Sequence, residues 1–333
     1  MPGPSLTRRR LLGTGTALLA GAARPLRAAT SVPEAATLIA PGPDDGPAAV
    51  FASRAARGLA RGLVQAAALR VNVVGGPDGV TAANRFATST PQDGLMLLSM
   101  PGPSGQAALV GDTRVRFEPR QWPAVAASLS PAVLVGRGPL AARSPLRLAL
   151  TGPAVAEAAA LLVLDQLGRR ATPVFVAAGV APEAAVLAGA ADAVVLSGRA
   201  VPARIGALGL TPWFAFDAAG HGRDPDLPGV PALGEVMTGP AQPALVAAVR
   251  AAGTALRLRG ALVLPALTSA DSVALWRGAA NRWAQHEPDG NEPGTRCIGP
   301  DGAAEILAAL CPAAEVAAAY RDWLSRRLAF QSG

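Results

Sequence analysis

Short apolar runs alternate with turn residues along this chain, and the period of the apolar positions changes from run to run. Thr37-Leu38-Ile39-Ala40 is a run of strand length stopped by Pro41-Gly42-Pro43, which reads as strand then turn. Residues Ala48 to Ala68 are rich in Ala and Leu, with Arg54, Arg57 and Arg61 at helical spacing, and predict a helix with one polar face. Val71 to Val74 is a strand ended by Gly75-Gly76-Pro77, Thr81 to Thr88 a helix, and Gly94 to Ser99 a strand closed by Pro101-Gly102-Pro103. This β-α-β-α-β opening predicts a parallel sheet covered on both faces.

The pattern then restarts. Ala132 to Val135 is strand-like, Leu146 to Leu150 is a strand, and Thr151-Gly152-Pro153 a turn before a helix over Ala154 to Leu167. Val174 to Ala177 and Ala193 to Leu196 read as strands, with helices at Pro182 to Ala188 and Pro202 to Leu208. The fold class is therefore α/β in two units, with residues 31–125 and 215–333 in one lobe and 131–210 in the other. Beyond Leu210 the chain turns to helices, at Gln242 to Leu258, Ala270 to Gln285, Ala303 to Leu310 and Glu315 to Leu328, with a long polar loop from His286 to Pro300.

Composition changes this picture at the N-terminus. The net charge of +7 comes from a basic set in which every member is Arg, and residues 1–30 hold Arg8, Arg9, Arg10, Arg24 and Arg27 with no acid. They carry five of those charges, leaving +2 on the rest, so the charge is no argument for nucleic acid. Aromatics at 4% also exclude a base-stacking surface. Thr7-Arg8-Arg9-Arg10-Leu11-Leu12 followed by an apolar run to Ala23 reads as an export signal of the twin-arginine type, and places the mature protein in the periplasm. The run is too short to span a bilayer, which needs about 20 residues.

Candidate chemistry is sparse. His221 and His286 are the sole histidines and have no metal-ligand spacing. No H-E-x-x-H, C-x-x-C, phosphate-loop or G-x-S-x-G sequence occurs, so no enzyme class is indicated and no metal or cofactor is expected. Cys297 and Cys311 lie 14 residues apart; in an oxidising compartment they pair as a disulfide, and otherwise they are two buried thiols. What remains are Gly/Pro turns opening helices. Their free backbone N–H groups and the positive end of the helix dipole suit a carboxylate. Arg85 and Arg199 are candidates for a charge-assisted bond, while Asp44 and Asp45 oppose a highly charged anion.

Several segments resemble one family. Ala40-Pro41-Gly42-Pro43-Asp44-Asp45, Pro91-Gln92-Asp93-Gly94-Leu95-Met96-Leu97-Leu98 and Leu187-Ala188-Gly189-Ala190-Ala191-Asp192-Ala193 are similar in order and spacing to its motifs. Leu227-Pro228-Gly229-Val230-Pro231-Ala232-Leu233-Gly234-Glu235 is the most specific of them. The chain resembles the Bug family, the periplasmic solute-binding proteins of tripartite tricarboxylate transporters. That resemblance implies a two-lobed periplasmic-binding-protein (Venus-flytrap) fold with crossing strands between the lobes. It also implies a monomer that captures a small organic acid for membrane transporter subunits.

Carried over by position, the implied ligand residues are Gly42, Pro43, Asp44, Asp45, Gly79 and Thr81 in the first lobe. In the second they are Thr151, Gly152, Ala154, Gly179 and Ser197. The chain departs from the family where Pro43 replaces a glycine and where Ser197 stands for an acid, which implies an altered ligand preference. An exported enzyme folded before translocation, or a sensory or orphan binding domain on the same fold, are the alternative readings.

Overall fold

Turn residues and apolar runs build two separate sheets in the computed structural model, which describes residues 35–63, 68–142, 145–217, 222–239, 242–287 and 294–331. The export signal with Arg8 and Arg9, and His221, lie outside the described residues. In chain order the elements begin with β1 (Ala35–Pro41), α1 (Pro47–Gly62), β2 (Ala68–Val74), α2 (Val80–Ser89), β3 (Met96–Met100), α3 (Gly102–Val110) and β4 (Ala124–Leu129). Next come β5 (Ala132–Gly136), β6 (Leu146–Leu150), α4 (Ala159–Gln166), β7 (Ala171–Phe175), α5 (Pro182–Leu187), β8 (Ala193–Ser197), α6 (Val201–Leu208) and β9 (Thr211–Ala215). The chain ends with α7 (Leu233–Val236), α8 (Pro243–Arg257), β10 (Leu258–Val263), α9 (Ala270–His286), β11 (Arg296–Ile298), α10 (Pro300–Leu310) and α11 (Ala314–Leu328).

The first sheet has strand order β11-β4-β10-β3-β1-β2 and the second β7-β6-β8-β5-β9. β1 runs parallel to β2 and β3, as its β-α-β opening requires, and β6 runs parallel to β7 and β8. The sheets are mixed, however: β10 is antiparallel to β3 and β4, and β5 is antiparallel to β8 and β9. Alternation explains the layers. Leu38 of β1 packs with α1 and α9 on one face, and its neighbour Ile39 packs with α2 and α10 on the other. Two glycines let α1 approach α9. A Cβ at Gly62 would stand 2.3 Å from the Ala279 carbonyl oxygen, and one at Gly58 2.4 Å from Trp283 Nε1.

Several elements differ from the pattern reading. The helix expected over Ala48 to Ala68 ends at Gly62, and β2 begins already at Ala68. Pro101-Gly102-Pro103 opens α3 instead of closing a turn, because proline in a first helical turn forfeits no hydrogen bond. β4 has all six residues buried, so it lacks the alternation that would reveal a strand. β10 follows α8 with no intervening turn, and its start is hidden in the helix pattern. β9 and β10 interrupt the helical tail, and β11 lies inside the loop expected from His286 to Pro300.

The helical tail packs on both sheets. Leu245, Ala248 and Val249 of α8 and Tyr320 and Leu324 of α11 join the core of the second sheet with Leu134, Leu148 and Leu162. Their apolar faces cover that sheet.

The cysteines are unpaired. Cys297 on β11 lies in the core shared by α1 and α9, whereas Cys311, at the end of α10, packs on the opposite face of the same sheet. The sheet between them overturns the disulfide expectation. Burial pushes both thiols up to about 12, so at pH 8 almost none of either is thiolate. We expect no reaction of the native protein with Ellman's reagent at pH 8 and two thiols per chain after unfolding in guanidinium without reductant. Zero thiols after unfolding would restore the disulfide.

Candidate functional site

The chain passes from the first sheet to the second at Ser130-Pro131, between β4 and β5, and returns where α8 meets β10. Beside these crossings lies a cavity of about 530 Å³, a size that holds a small organic molecule. Its walls come from both halves of the fold. Gln106, Ala107 and Val110 of α3 form one side. Thr151, Ala154 and Glu157, after β6, and Ser197, closing β8, form another. Leu256, Leu258 and Arg259 from the return crossing complete it, with Asp78, Asp112 and Arg114 also in the lining.

Arg259 is the distinctive charge. It is half-buried on β10, and among the described residues no carboxylate forms a salt bridge with it. The charge that acts on it is Arg199, which has the same sign. Burial first and Arg199 second pull its pKa below the ordinary arginine value, and the guanidinium stays charged at neutral pH. Gly198, between Ser197 and Arg199, lies against it: a Cβ there would meet Arg259 Nη1 at ordinary contact distance, 3.4 Å.

The second guanidinium in the lining is already committed. Arg114 pairs with Asp112 at 2.6 Å and Asp78 at 2.9 Å. The hydrogen bond to Asp112 is the largest cause of its raised pKa, and the same bond holds the Asp112 carboxyl below the usual range.

A polar cluster of another kind surrounds Gln106. Its Nε2 donates to the Ala154 carbonyl at 2.8 Å, joining α3 to the loop after β6. Its Oε1 is buried, and the buried Tyr320 hydroxyl lies beside the same amide. Glu157 has its carboxyl packed by protein, and that desolvation raises its pKa against a smaller lowering by a bond to its own backbone. Burial likewise raises the Tyr320 pKa.

Of the residues expected from sequence, the structure brings Thr151, Ala154 and Ser197 to this cavity. The others are not among its lining residues. Gly42, Pro43, Asp44 and Asp45 form the turn between β1 and α1, with Pro43 and both carboxylates exposed. Gly42 is packed against the Gly75 carbonyl, where a Cβ would stand at 2.5 Å. Gly79 caps α2 at φ +75° and lies against Pro101, and Thr81 packs on Gly75. Gly152 is in the loop after β6, and Gly179 occupies an exposed turn after β7. Arg85 is exposed and does not line the cavity.

Sequence reasoning missed Arg259, Gln106 and Glu157. A legible signal existed for the first: a lone arginine inside the apolar run Leu258 to Leu264. Among the described residues, no group of three or more His, Cys, Asp or Glu side chains is placed to hold a metal ion.

A cavity at the crossings between two α/β sheets invites comparison with solved binding proteins. A TctC solute-binding protein from Polaromonas, without ligand, superposes with a TM-score of 0.62 at 17% identity, covering 88% of this chain and 98% of that one. The chain has the fold of the TctC-type solute-binding proteins. The periplasmic binding protein BugD superposes with a TM-score of 0.54 at 15% identity, over 87% of this chain and 98% of its own. MatC from Rhodopseudomonas palustris, with bound malate, gives 0.53 at 21% identity, over 88% of this chain and all of its own. No family profile matches the chain and no curated protein matches it in sequence. The two-lobed architecture with crossing strands is thus the TctC-type one, reached by a divergent sequence.

Proposed function

We propose that the protein is a periplasmic solute-binding protein that captures a small carboxylate in the cavity at the crossings. The observation that carries this reading is Arg259, a half-buried guanidinium in the cavity wall with no carboxylate partner among the described residues. A cation held from water beside a like charge is relieved by an anion, and a charge-assisted hydrogen bond to a carboxylate is among the stronger polar contacts available. Thr151 and Ser197 supply hydroxyls to the same space. The malate in the MatC structure supports the choice of a carboxylate.

The lobes built on the two sheets close on the solute, and the closed form is recognised by membrane subunits of a tripartite tricarboxylate-type transporter. Residues 1–30 direct export by the twin-arginine route, and the mature protein acts as a monomer without cofactor or catalysis.

The test is a thermal-shift screen of the mature protein against organic acids, amino acids and polyamines. A ligand at a hundredfold excess over Kd stabilises by about 2.7 kcal/mol. Small carboxylates will raise the melting temperature, and a response to cationic compounds alone would overturn the assignment.

A further inference from the structure

Two charged groups of opposite sign in the cavity wall are left without an ionic partner. Among the described residues, the Arg259 guanidinium makes no salt bridge or side-chain hydrogen bond, and no cation forms a salt bridge with Glu157. The other charges of the lining, Asp78, Asp112 and Arg114, are bound to one another. Unlike Gln106 Oε1 and the Tyr320 hydroxyl, which are fully enclosed, the Arg259 guanidinium and the Glu157 carboxyl keep surface that a solute can touch, and both residues line the cavity.

The second sheet sets where these two charges lie. Arg259 Nη1 rests against Gly198, one residue beyond β8, at 3.4 Å from where a Cβ would stand. Glu157 stands in the turn between β6 and α4, and β6 pairs with β8 in parallel. The charges are therefore held beyond the C-terminal ends of neighbouring strands, which run about 4.8 Å apart. They face one space and do not pair with each other.

A half-buried charge without a partner carries a standing desolvation cost, and a solute with one charge of each sign offsets both costs at once. A dicarboxylate would meet Arg259 with one end and bring a second anion against Glu157. A plain monocarboxylate would leave Glu157 as it was.

We propose that the preferred solute is a zwitterion, an amino acid whose carboxylate pairs with Arg259 and whose ammonium pairs with Glu157. This inference rests on the proposed carboxylate-binding function and specifies the charge at the other end of the solute.

Isothermal titration of the mature protein decides it, with acids of a single chain length. The probes are pentanoate, 5-hydroxypentanoate, pentanedioate and the pentanoates with an amino group on carbon 2, 3, 4 or 5. The best amino acid will bind about tenfold or more tightly than each of the other three acids, as a charge-assisted hydrogen bond warrants. The variant Glu157→Gln, which keeps the size of the side chain, will weaken that amino acid by about tenfold or more and leave pentanoate within about threefold. If the variant does not fold, the ranking on the natural sequence still decides. Pentanoate, 5-hydroxypentanoate or pentanedioate bound as tightly as the best amino acid would overturn this inference and leave carboxylate binding intact. So would an amino-acid affinity unchanged by Glu157→Gln. No binding by any of these acids would overturn carboxylate binding, and this inference with it.

Discussion

Replacing Arg257 by Met will lower folding stability by about 3–5 kcal/mol, the cost of breaking a buried ion pair from one side. Arg257 is the last residue of α8 and ties together the crossings between the sheets. Its Nη2 donates to Asp224 Oδ2 at 2.5 Å, its Nη1 to the Phe216 carbonyl at 3.0 Å and its Nε to the Ser130 carbonyl at 3.3 Å. Its own carbonyl accepts from the Ser130 backbone N–H at 2.9 Å. Ser130 stands between β4 and β5, and Phe216 follows β9, so one guanidinium braces the outgoing crossing, the end of the second sheet and the return.

The side chains of Arg257 and Asp224 are 7% and 1% exposed. Truncating the cation strands the Asp224 carboxylate, with Arg296 at 4.0 Å as its remaining charge partner among the described residues. Urea unfolding of the mature protein measures the effect. The double variant Arg257→Met, Asp224→Leu will recover most of the loss, because both buried polar groups are then gone. A single-variant loss below about 1 kcal/mol would refute the bracing role.

Replacing Arg259 by Gln will weaken carboxylate binding by roughly tenfold to hundredfold, the equivalent of about 1.5–3 kcal/mol for a hydrogen bond to a charged group. The same change will leave the ligand-free protein as stable as before or slightly more so. It removes a half-buried charge that has Arg199 as its charged neighbour and replaces it with a neutral amide. The two residues, two positions apart, thus act in opposite ways: Arg257 on stability and Arg259 on affinity. Titration with the best acid from the screen, alongside urea unfolding without ligand, separates them. Unchanged affinity in Arg259→Gln would remove this residue from the site.

The family resemblance rested on loops, and loops of that kind are legible because Gly and Pro announce them. The residues carried over from it reached the cavity in part. Thr151, Ala154 and Ser197 line it, since each lies at or just beyond the C-terminal end of a strand in the second sheet. The glycines of the first lobe serve packing in this structure: Gly42 against Gly75 and Gly79 against Pro101. A Gly/Pro turn reports that the backbone bends and does not report what lies beside it.

Local order along the chain determined a great deal by itself. The β-α-β periodicity dictated the parallel cores of both sheets, because a short apolar run, a Gly/Pro turn and an amphipathic helix have few ways to bury their faces together. Tertiary structure alone decided the rest. β4 and β10 are buried on both faces and carry no alternation, so they become strands only when the sheet closes around them. Cys297 and Cys311 are near in sequence and separated by the sheet. Arg257 and Arg259 look alike in the sequence Arg-Leu-Arg. One meets Asp224 in the core and the other, at the cavity wall, has no such partner among the described residues, and long-range packing gives them those opposite surroundings.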